Sequence, residues 1–310
     1  MRGADRSDGF VIVNALVLLA AMSAVAVLLL SRAEQGRARL ALAQTSETLR
    51  DNLDAFDALS RLVLDRDQVA GRSDSARDAW ADTIDTVSLA QGTVSGRITD
   101  QQGLFNINWL ADPNDTVAQD GFDALTDNLG ASPGVAEAIV AFVSRDGPAN
   151  TAAYRALTPA MAPLGGAALT LSQLDVIPDV SDGDLDLLRP YITVLPPGTR
   201  LNVNTAPERV LRAMLPQLSE RQVLQVLRQR ADEPFPTLED FILATGLDTD
   251  LEENPQAVDA GRLDVGSSWF QAEATATVDT REASRVTLFK RSPAPTGTEV
   301  FWRLTHFGDH

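Results

Sequence analysis

The sequence predicts an α+β protein in which a long N-terminal helix packs on an antiparallel sheet and a large all-α domain is inserted into the sheet region. Three observations lead to this fold class. Helical periodicity runs from about Phe10 to about Asp67 without a proline, residues 270–279 alternate between apolar and polar, and the period between residues 114 and 247 is helical. Because helices separate the strand-like sequence near residue 90 from that near residue 270, one α+β domain interrupted by a helical domain is the economical architecture.

The first half of the long helix is an uncharged apolar run from Phe10 to Leu30, in which only Asn14 and Ser23 are polar. As a helix this run is about 31 Å long, which matches the hydrocarbon thickness of a bilayer. A secretory signal peptide is the alternative, but its apolar core is normally shorter and is followed by a small-residue cleavage site. Residues 31–37 contain no clean site of that kind, so the sequence favours a retained membrane anchor.

Composition argues against several kinds of function. The 310-residue chain has 43 acidic and 26 basic residues, giving a formal charge of −17 that opposes binding to a nucleic-acid phosphate backbone. The absence of cysteine excludes disulfides, iron–sulfur clusters and thiolate zinc sites. Both histidines, His306 and His310, lie at the C-terminal end, which we interpret as a frayed terminus. With no glycine-rich phosphate loop either, we predict that the protein is not an enzyme.

Beyond the anchor, the sequence predicts the first part of the sheet domain. Leu49, Leu53 and Phe56 recur at helical spacing and form an apolar stripe that packs on the domain. Three short elements follow: a helix over residues 76–84, β-branched strand sequence over residues 86–99 with bends at Gly92 and Gly96, and a short strand over residues 104–108.

The helical region is divided by breakers and by helix caps. Short helices are predicted over residues 121–129, 135–144, 171–174 and 182–188. Thr205 is placed to be an N-cap, and Glu208 three residues later completes a capping box. Similar signals open two more helices, at Ser219 with Gln222 and at Thr237 with Asp240. Three short capped helices in succession indicate a compact helical unit.

The C-terminal part returns to strand sequence. Residues 270–279 place Phe270 and the alanines on one side and polar residues on the other, which is typical of a half-buried antiparallel strand. Two further segments, residues 285–291 and 299–307, are also strand-like in sequence, with a proline-containing loop between them. These three strands predict an antiparallel meander.

Taken in order, these features resemble a known family. A short leader ending in Gly9, an aromatic Phe10, an anchor helix and then a sheet resemble type IV pilins and the pseudopilins of type II secretion. Residues 102–110 and 201–211, with the motifs Phe-Asn-Ile-Asn and Leu-Asn-Val-Asn, look like the stretches that precede the two helical subdomains of the minor pseudopilin called protein K. Further matching segments lie at residues 171–176, 188–194 and 267–270.

The resemblance implies a division of the chain. Its parts are a prepilin leader (1–9), the transmembrane part of the N-terminal helix (10–30), the first part of the pilin-like domain (31–111), an inserted helical domain (112–262, with subdomains of about 112–195 and 196–262) and the C-terminal strands of the pilin-like domain (263–310).

The resemblance also implies processing, partners and location. A prepilin peptidase would cut between Gly9 and Phe10 and methylate the new N-terminus, although Asp8 stands where the family carries a basic residue. The protein would then join other minor pseudopilins at the tip of a periplasmic pseudopilus, in contact with the major pseudopilin and the inner-membrane assembly platform, and secreted substrates are a further implied partner. It would cross the inner membrane once, with a cytoplasmic N-terminus. Counting lysine and arginine alone gives the opposite orientation, because Arg32, Arg37, Arg39 and Arg50 follow the run.

Asn14 occupies the fifth position of the implied mature chain. Pilin-type subunits usually carry glutamate there, to neutralise the N-terminal amine of a neighbouring subunit within the membrane, and its absence is typical of protein K. A subunit without this carboxylate belongs at the end of a filament, since an unpaired ion in lipid is costly. The alternative is that Asn14 is a tolerated polar residue near the membrane interface.

Family resemblance raises calcium binding. The best cluster comprises Asp248, Asp250, Glu252, Glu253 and Asp264, whose carboxylates could converge on a hard cation. The alternative is a solvated acidic loop, because the stretch has neither EF-hand spacing nor a turn glycine. A second acidic cluster at residues 179–186 is interpreted as a helix start.

A membrane-anchored helix-hairpin-helix protein that binds DNA is the alternative function. The paired helices after residue 202 resemble such a module, with Arg212, Arg221, Arg228 and Arg230 as its basic residues. These modules bind phosphate at a glycine-containing hairpin, whereas residues 214–218 contain no glycine. The acidic charge of the chain also opposes binding, so we expect no nucleic-acid partner.

Overall fold

The computed structural model describes residues 7–71, 73–254 and 257–308, so most of the implied leader and His310 lie outside the described residues. The helices are α1 (Ser7–Ala70), α2 (Thr116–Leu129), α3 (Val135–Val143), α4 (Ala152–Arg155), α5 (Asp182–Leu188), α6 (Glu208–Met214), α7 (Glu220–Asp232) and α8 (Leu238–Thr245). The strands are β1 (Ile84–Ser88), β2 (Thr93–Asp100), β3 (Phe105–Asn106), β4 (Ile192–Thr193), β5 (Leu201–Asn202), β6 (Leu263–Asp264), β7 (Trp269–Val278), β8 (Arg281–Ser292) and β9 (Gly297–Phe307).

The long N-terminal helix is confirmed as one element. α1 has 64 residues, and every residue from Ile12 to Gln44 is exposed. From Leu49 onward the stripe Leu49, Leu53 and Phe56 is buried against the sheet. α1 therefore projects as a bare helix for about 50 Å before it joins the folded part of the chain.

The sheet that α1 covers has five antiparallel strands in the order β1-β2-β7-β8-β9. The predicted meander is confirmed, and β7 buries alternate side chains from Phe270 to Val278 as its sequence indicated. Gly96 on β2 permits close contact with α1, since a Cβ there would lie 2.3 Å from the Glu273 carbonyl oxygen and 2.5 Å from the Phe56 ring. These contacts form the first of the two main apolar cores.

Near the start of the sheet, the strand sequence over residues 86–99 and the bend at Gly92 are confirmed, whereas the helix predicted over residues 76–84 was wrong. Residues 86–99 belong to a β1–β2 hairpin whose turn uses Gly92 at φ +88°, a conformation that favours glycine. Residues 76–84 form turns that lead into β1 instead of a helix. Here the Asp78 carboxylate accepts a 2.7 Å hydrogen bond from the Ser75 backbone N–H, and the Trp80 ring packs on Phe270. These contacts outweigh the weak helix tendency of so short a segment.

In the sequence, the helices α2–α8 come between β2 and β7. They have their own apolar core, which includes Phe105, Phe122, Leu188, Val210 and Phe241. A two-residue parallel strand pair brings together the ends of each half of this region. β3 pairs with β4, and β5 pairs with β6. The predicted strand over residues 104–108 is thus shorter than expected, because a 3-10 helix begins at Ile107.

Most predicted helices are present, but one predicted cap is not. Ser219 with Gln222 forms a capping box on α7, and the Thr237 hydroxyl caps α8. At α6 the N-cap is Pro207, which has no side-chain cap, so the capping box predicted for Thr205 and Glu208 was wrong. The Thr205 hydroxyl donates instead to the Asp100 carboxylate, 2.5 Å away, across the junction with the sheet.

Candidate functional site

The exposed part of α1 carries the predicted processing and assembly positions. Gly9 and Phe10 lie within the helix, near its N-terminal end, and Asn14 is exposed on it. In the described part of the chain, one helix contains a segment long and apolar enough to cross a membrane, and none of that segment is buried in the fold. A protruding apolar helix of this kind needs lipid or other helices to cover it.

Buried charges attach the second half of α1 to the sheet. Asp57 on α1 accepts a 2.9 Å hydrogen bond from the Thr287 hydroxyl and a 3.1 Å bond from the Arg285 guanidinium, both on β8. Arg285 also contacts Asp54, one helical turn earlier. Because an unpaired buried charge is costly, this set fixes the register of α1 on the sheet. The sequence showed these residues only as polar positions in an amphipathic helix and an alternating strand.

Arg291, at the end of β8, lies at the junction between the sheet and the helical region. Its guanidinium donates to Asp67 of α1 at 2.9 Å and to both carboxylate oxygens of Asp74 at 2.6 and 2.5 Å. It also donates to the Ser267 carbonyl oxygen and lies 4.6 Å from the centre of the Phe270 ring. One buried cation thus joins the end of α1, the following loop and the chain that enters β7.

Asp100, at the end of β2, forms the second half of this junction and is 8% exposed. Its carboxylate accepts hydrogen bonds from the Thr205 hydroxyl, the Ser267 hydroxyl, the Asn202 side-chain amide and the Gln102 backbone N–H. Burial raises the pKa of Asp100 from 3.8 to about 6, although the bonds from Ser267 and Thr205 oppose the shift. Asn202 belongs to the helical region, so Asp100 connects that region directly to the sheet.

The junction contains a carboxylate group that the sequence analysis missed. Within the described ranges, Asp67, Asp74 and Asp78 are the only three metal-ligating side chains whose oxygen atoms all come within 4.8 Å of one another. The Arg291 guanidinium is bonded to Asp67 and Asp74, and Asp78 accepts bonds from Ser75. An internal arginine therefore already supplies a positive charge to this group.

The predicted calcium ligands lie in one loop apart from Asp264, but no three of their carboxylates come within 4.8 Å of one another in the described residues. Asp248 accepts bonds from the Asp250 backbone N–H and from the Asn254 side chain, at 3.0 and 2.8 Å, and these bonds lower the pKa of Asp248. Asp250 in turn accepts from the backbone N–H groups of Glu252 and Glu253. The oxygen donors of this loop suit a hard cation.

Asp264 does not share that environment. Its carboxylate lies 3.5 Å from the Arg200 guanidinium and accepts hydrogen bonds from the backbone N–H groups of Val265 and Gly266. The loop carboxylates therefore fit calcium by their chemistry, whereas Asp264 is occupied by a cation of the chain itself.

Two Asn-x-Asn motifs organise the helical region in the same way. In each, the first asparagine accepts a bond from the backbone N–H of the second: Asn106 from Asn108 at 3.1 Å, and Asn202 from Asn204 at 2.9 Å. The second asparagine then forms a reciprocal pair with a distant backbone. Asn108 pairs with residue 168 at 2.7 and 2.9 Å, and Asn204 pairs with residue 235 at 2.9 Å in both directions.

The arginines of the paired helices are partly used within the fold. Arg212 pairs with Glu208 and Glu220, and Arg230 donates to the Val203 carbonyl oxygen at 2.7 Å. Burial lowers the pKa of Arg230 to about 10. These contacts stabilise the helical region internally and do not favour a phosphate-binding role.

Comparisons with known proteins agree with this architecture. The model of the first domain of "Type II secretion system (T2SS), protein K" matches residues 103–197, and a second model of protein K matches residues 201–264. Together they cover about half of the chain, and each begins beside one of the Asn-x-Asn motifs. No protein in the curated set that was compared matches the chain.

Among solved structures, a chain of the GspK–GspI–GspJ complex from the type 2 secretion system of enterotoxigenic Escherichia coli has a similar fold. The TM-score is 0.69 at 20% identity, and the likeness covers 88% of this chain and 100% of that one. At this identity the likeness concerns the fold. The two protein K family models, in contrast, match the amino-acid sequence. The chain therefore belongs to the type II secretion protein K family, as a minor pseudopilin.

Proposed function

We propose that the protein is placed at the tip of a periplasmic pseudopilus and helps to initiate the filament, without catalysing a reaction. The observation that carries this proposal is the separation of two features along α1. The exposed part of α1, residues 12–44, is apolar as far as Leu30 and projects from the folded part of the chain, and the helical region adjoins the other end of α1. That region, which we assign to residues 112–262 with subdomains 112–195 and 196–262, would then lie farthest from the membrane.

The absence of a carboxylate at Asn14 supports the tip position. In the proposed filament, each added subunit offers a glutamate to the N-terminal amine of the subunit ahead of it. The leading subunit has no amine ahead of it, and an unpaired carboxylate in lipid would be costly. An asparagine there is neutral and can form hydrogen bonds with neighbouring helices.

The proposed partners follow from the same arrangement. The fold is shared with a protein that forms a complex with GspI and GspJ, which supports other minor pseudopilins as partners. We further propose contact with the major pseudopilin, the inner-membrane assembly platform and a prepilin peptidase that cuts between Gly9 and Phe10. The chain would cross the inner membrane once, with its N-terminus in the cytoplasm and its bulk in the periplasm.

Intact mass and N-terminal sequencing of the membrane-extracted protein, with and without coexpressed prepilin peptidase, test the processing step. A chain that begins at methylated Phe10 only when the peptidase is present is the expected result. An uncut chain, or one cut after Leu30, would rule out this assignment.

The position in the filament needs a separate test. We expect Asn14→Glu to be processed normally but to lower filament initiation, whereas the matched control Asn14→Gln keeps it.

We also propose that the acidic loop binds calcium through Asp248, Asp250, Glu252 and Glu253. Calcium would screen their mutual repulsion and order the loop. The test is the thermal unfolding midpoint with and without calcium chloride, for the parent chain, Asp250→Asn and the control Asp182→Asn. A calcium-dependent rise that only Asp250→Asn abolishes supports the site, and an equal response in all three chains refutes it.

A further inference from the structure

Three arginines follow the apolar run on the exposed part of α1. We call them the juxtamembrane arginines: Arg32, Arg37 and Arg39. All three are exposed, and Glu34 is the one acidic residue between Leu30 and Gln44. Among the described residues, none of the three arginines forms an ion pair. Their guanidinium groups are therefore available to a partner outside the fold.

Other arginines near the sheet have a different environment. Arg50, the next arginine of α1, places its Cζ atom 4.9 Å from the centre of the Phe307 ring and so belongs to the folded part of the chain. Arg285 and Arg291 of β8 are buried and paired with aspartates. The juxtamembrane arginines differ from these because they are exposed cations on a bare helix.

With α1 across a bilayer as proposed, these arginines lie at or just beyond the lipid headgroups. Measured from Leu30 along the helix axis, Arg32 lies about 3 Å and Arg39 about 14 Å away. The headgroup layer on each side of a bilayer is about 5–8 Å thick. Side chains of a helix tilt towards its N-terminus, so those of Arg37 and Arg39 lean back towards the bilayer. Their long aliphatic parts allow the guanidinium groups to approach the phosphates.

The chemistry of this segment favours anionic lipids. Guanidinium groups bind phosphate well, because their planar N–H donors match two phosphate oxygens at once. An anionic membrane surface also attracts each arginine near it, by a factor of about five. The three arginines outweigh Glu34, so the segment from Ser31 to Gln44 has a net charge of +2. Charge and position therefore both indicate anionic phospholipid headgroups as the partner.

The helical region carries the opposite charge. Residues 112–262 contain 23 acidic and 10 basic residues. An anionic membrane would repel this region only if the chain leaned over, because salt screens charges beyond about 8 Å. Attraction at the juxtamembrane arginines and repulsion of the helical region thus act together to keep α1 upright.

We propose that the juxtamembrane arginines bind the phosphate groups of anionic phospholipids, in the leaflet nearest the folded part of the chain. This binding rests on the proposed membrane crossing of α1, but it does not depend on the position of the chain in a filament. It also gives these arginines a role on the periplasmic side, where the count of lysine and arginine alone would not place them.

The labelled full-length chain in vesicles tests this binding. The parent chain has no cysteine, so Gly36→Cys carries a single environment-sensitive fluorophore. Gly36 lies one turn from both Arg32 and Arg39, and a Cβ there would meet no neighbouring atom within 4 Å. Leu243→Cys, at an exposed position of α8, is the control label. The vesicles contain phosphatidylcholine with up to about 40% phosphatidylglycerol, equally in both leaflets, so the direction of insertion does not matter.

Two variants with equal losses of charge are compared under both labels. One replaces the juxtamembrane arginines by glutamine: Arg32→Gln, Arg37→Gln and Arg39→Gln. The other replaces three exposed arginines of the helical region in the same way: Arg145→Gln, Arg221→Gln and Arg228→Gln. Because each variant loses three positive charges, a difference between them reports the location of the charges and not their number.

The expected result is a response at position 36 that rises with the phosphatidylglycerol fraction and saturates, with none at position 243. At low fractions the juxtamembrane variant should respond at least about tenfold more weakly than the parent, and the control variant should respond as the parent does. Sodium chloride should weaken the response, and inorganic phosphate at equal ionic strength should weaken it no further. Equal responses of the two variants, no response at position 36, or a greater loss with inorganic phosphate would overturn the proposal.

Retention on neutral phosphatidylcholine vesicles after an alkaline carbonate wash measures the membrane crossing separately. A chain that is washed off refutes the crossing, and the lipid site with it. A chain that is retained but shows no response to phosphatidylglycerol refutes the lipid site alone.

Discussion

Replacing Asp100 by asparagine tests whether a buried carboxylate at the junction limits the stability of the fold at neutral pH. The asparagine has nearly the same shape but cannot titrate. Burial raises the pKa of Asp100 from 3.8 to about 6 in the folded chain. The folded state therefore binds this proton more tightly than the unfolded state does.

The sign and size of the effect follow from that shift. Stabilisation from protonated Asp100 is fully present below the unfolded pKa of 3.8 and is lost as pH rises through about 6. A shift of about two pKa units corresponds to about 3 kcal/mol. The free energy of unfolding of Asp100→Asn, relative to the parent, should therefore rise by about 2 kcal/mol between pH 4 and pH 7, whatever its absolute value, because the unfolded carboxyl is already partly ionised at pH 4.

Urea unfolding of both chains in detergent, followed by tryptophan fluorescence at several pH values, measures this difference. Asp184→Asn is the matched control. Hydrogen bonds from Ser181 and Ser132 lower the pKa of Asp184 to about 2, so its stabilisation is lost only as pH falls towards that value. The parent–control difference should be flat from pH 4 to pH 7. A flat or falling difference for Asp100→Asn would refute the reasoning.

Three further substitutions test the packing and the junction. Gly96→Ala forces a methyl group against Phe56 and the neighbouring strand, so it should cost about 1–3 kcal/mol of unfolding free energy, seen as a lower thermal midpoint; an unchanged midpoint would contradict the close approach. Arg291→Ala leaves buried carboxylates without their cation, so it should lower the free energy of unfolding in urea by about 3–5 kcal/mol. The control Arg97→Ala removes an exposed ion pair and should lower that free energy by less than about 1 kcal/mol. Similar losses for the two variants would argue against a buried junction. Asn204→Ala leaves a distant backbone N–H and carbonyl unpaired, and should raise amide exchange around residue 235 before that in the sheet.

Elements with a strong local period could be predicted from the sequence. α1 follows from an uninterrupted helical pattern, and β7 follows from strict alternation, because in both cases one repeated side of the element is buried. The capping box on α7 was also predictable, since Ser219 and Gln222 form it with each other within one turn. In these elements the deciding interactions lie within a few residues of each other.

The failures concern residues whose partners are distant in sequence. Thr205 matches an N-cap locally, but its hydroxyl is drawn to Asp100, more than a hundred residues away in the chain. Arg291 and Asp74 look like ordinary surface residues until the fold buries them together. The Asn-x-Asn motifs were recognisable as repeated letters, but only the structure shows the reciprocal amide pairs that they form.

The chain leaves the sheet for the helical region and returns from it at adjacent strands, and this has a mechanical consequence. Asp100 and Phe270 face each other on β2 and β7, and the Gln101 N–H donates to the Trp269 carbonyl oxygen at 3.0 Å. The chain thus leaves the sheet and returns to it at neighbouring points. A force applied along α1 would act as shear on the hydrogen-bonded ladder between the antiparallel strands. The force would not pass through the helices α2–α8, because the chain enters and leaves that region at neighbouring points of the sheet. The distal region can therefore keep its shape while the filament beneath it is under tension.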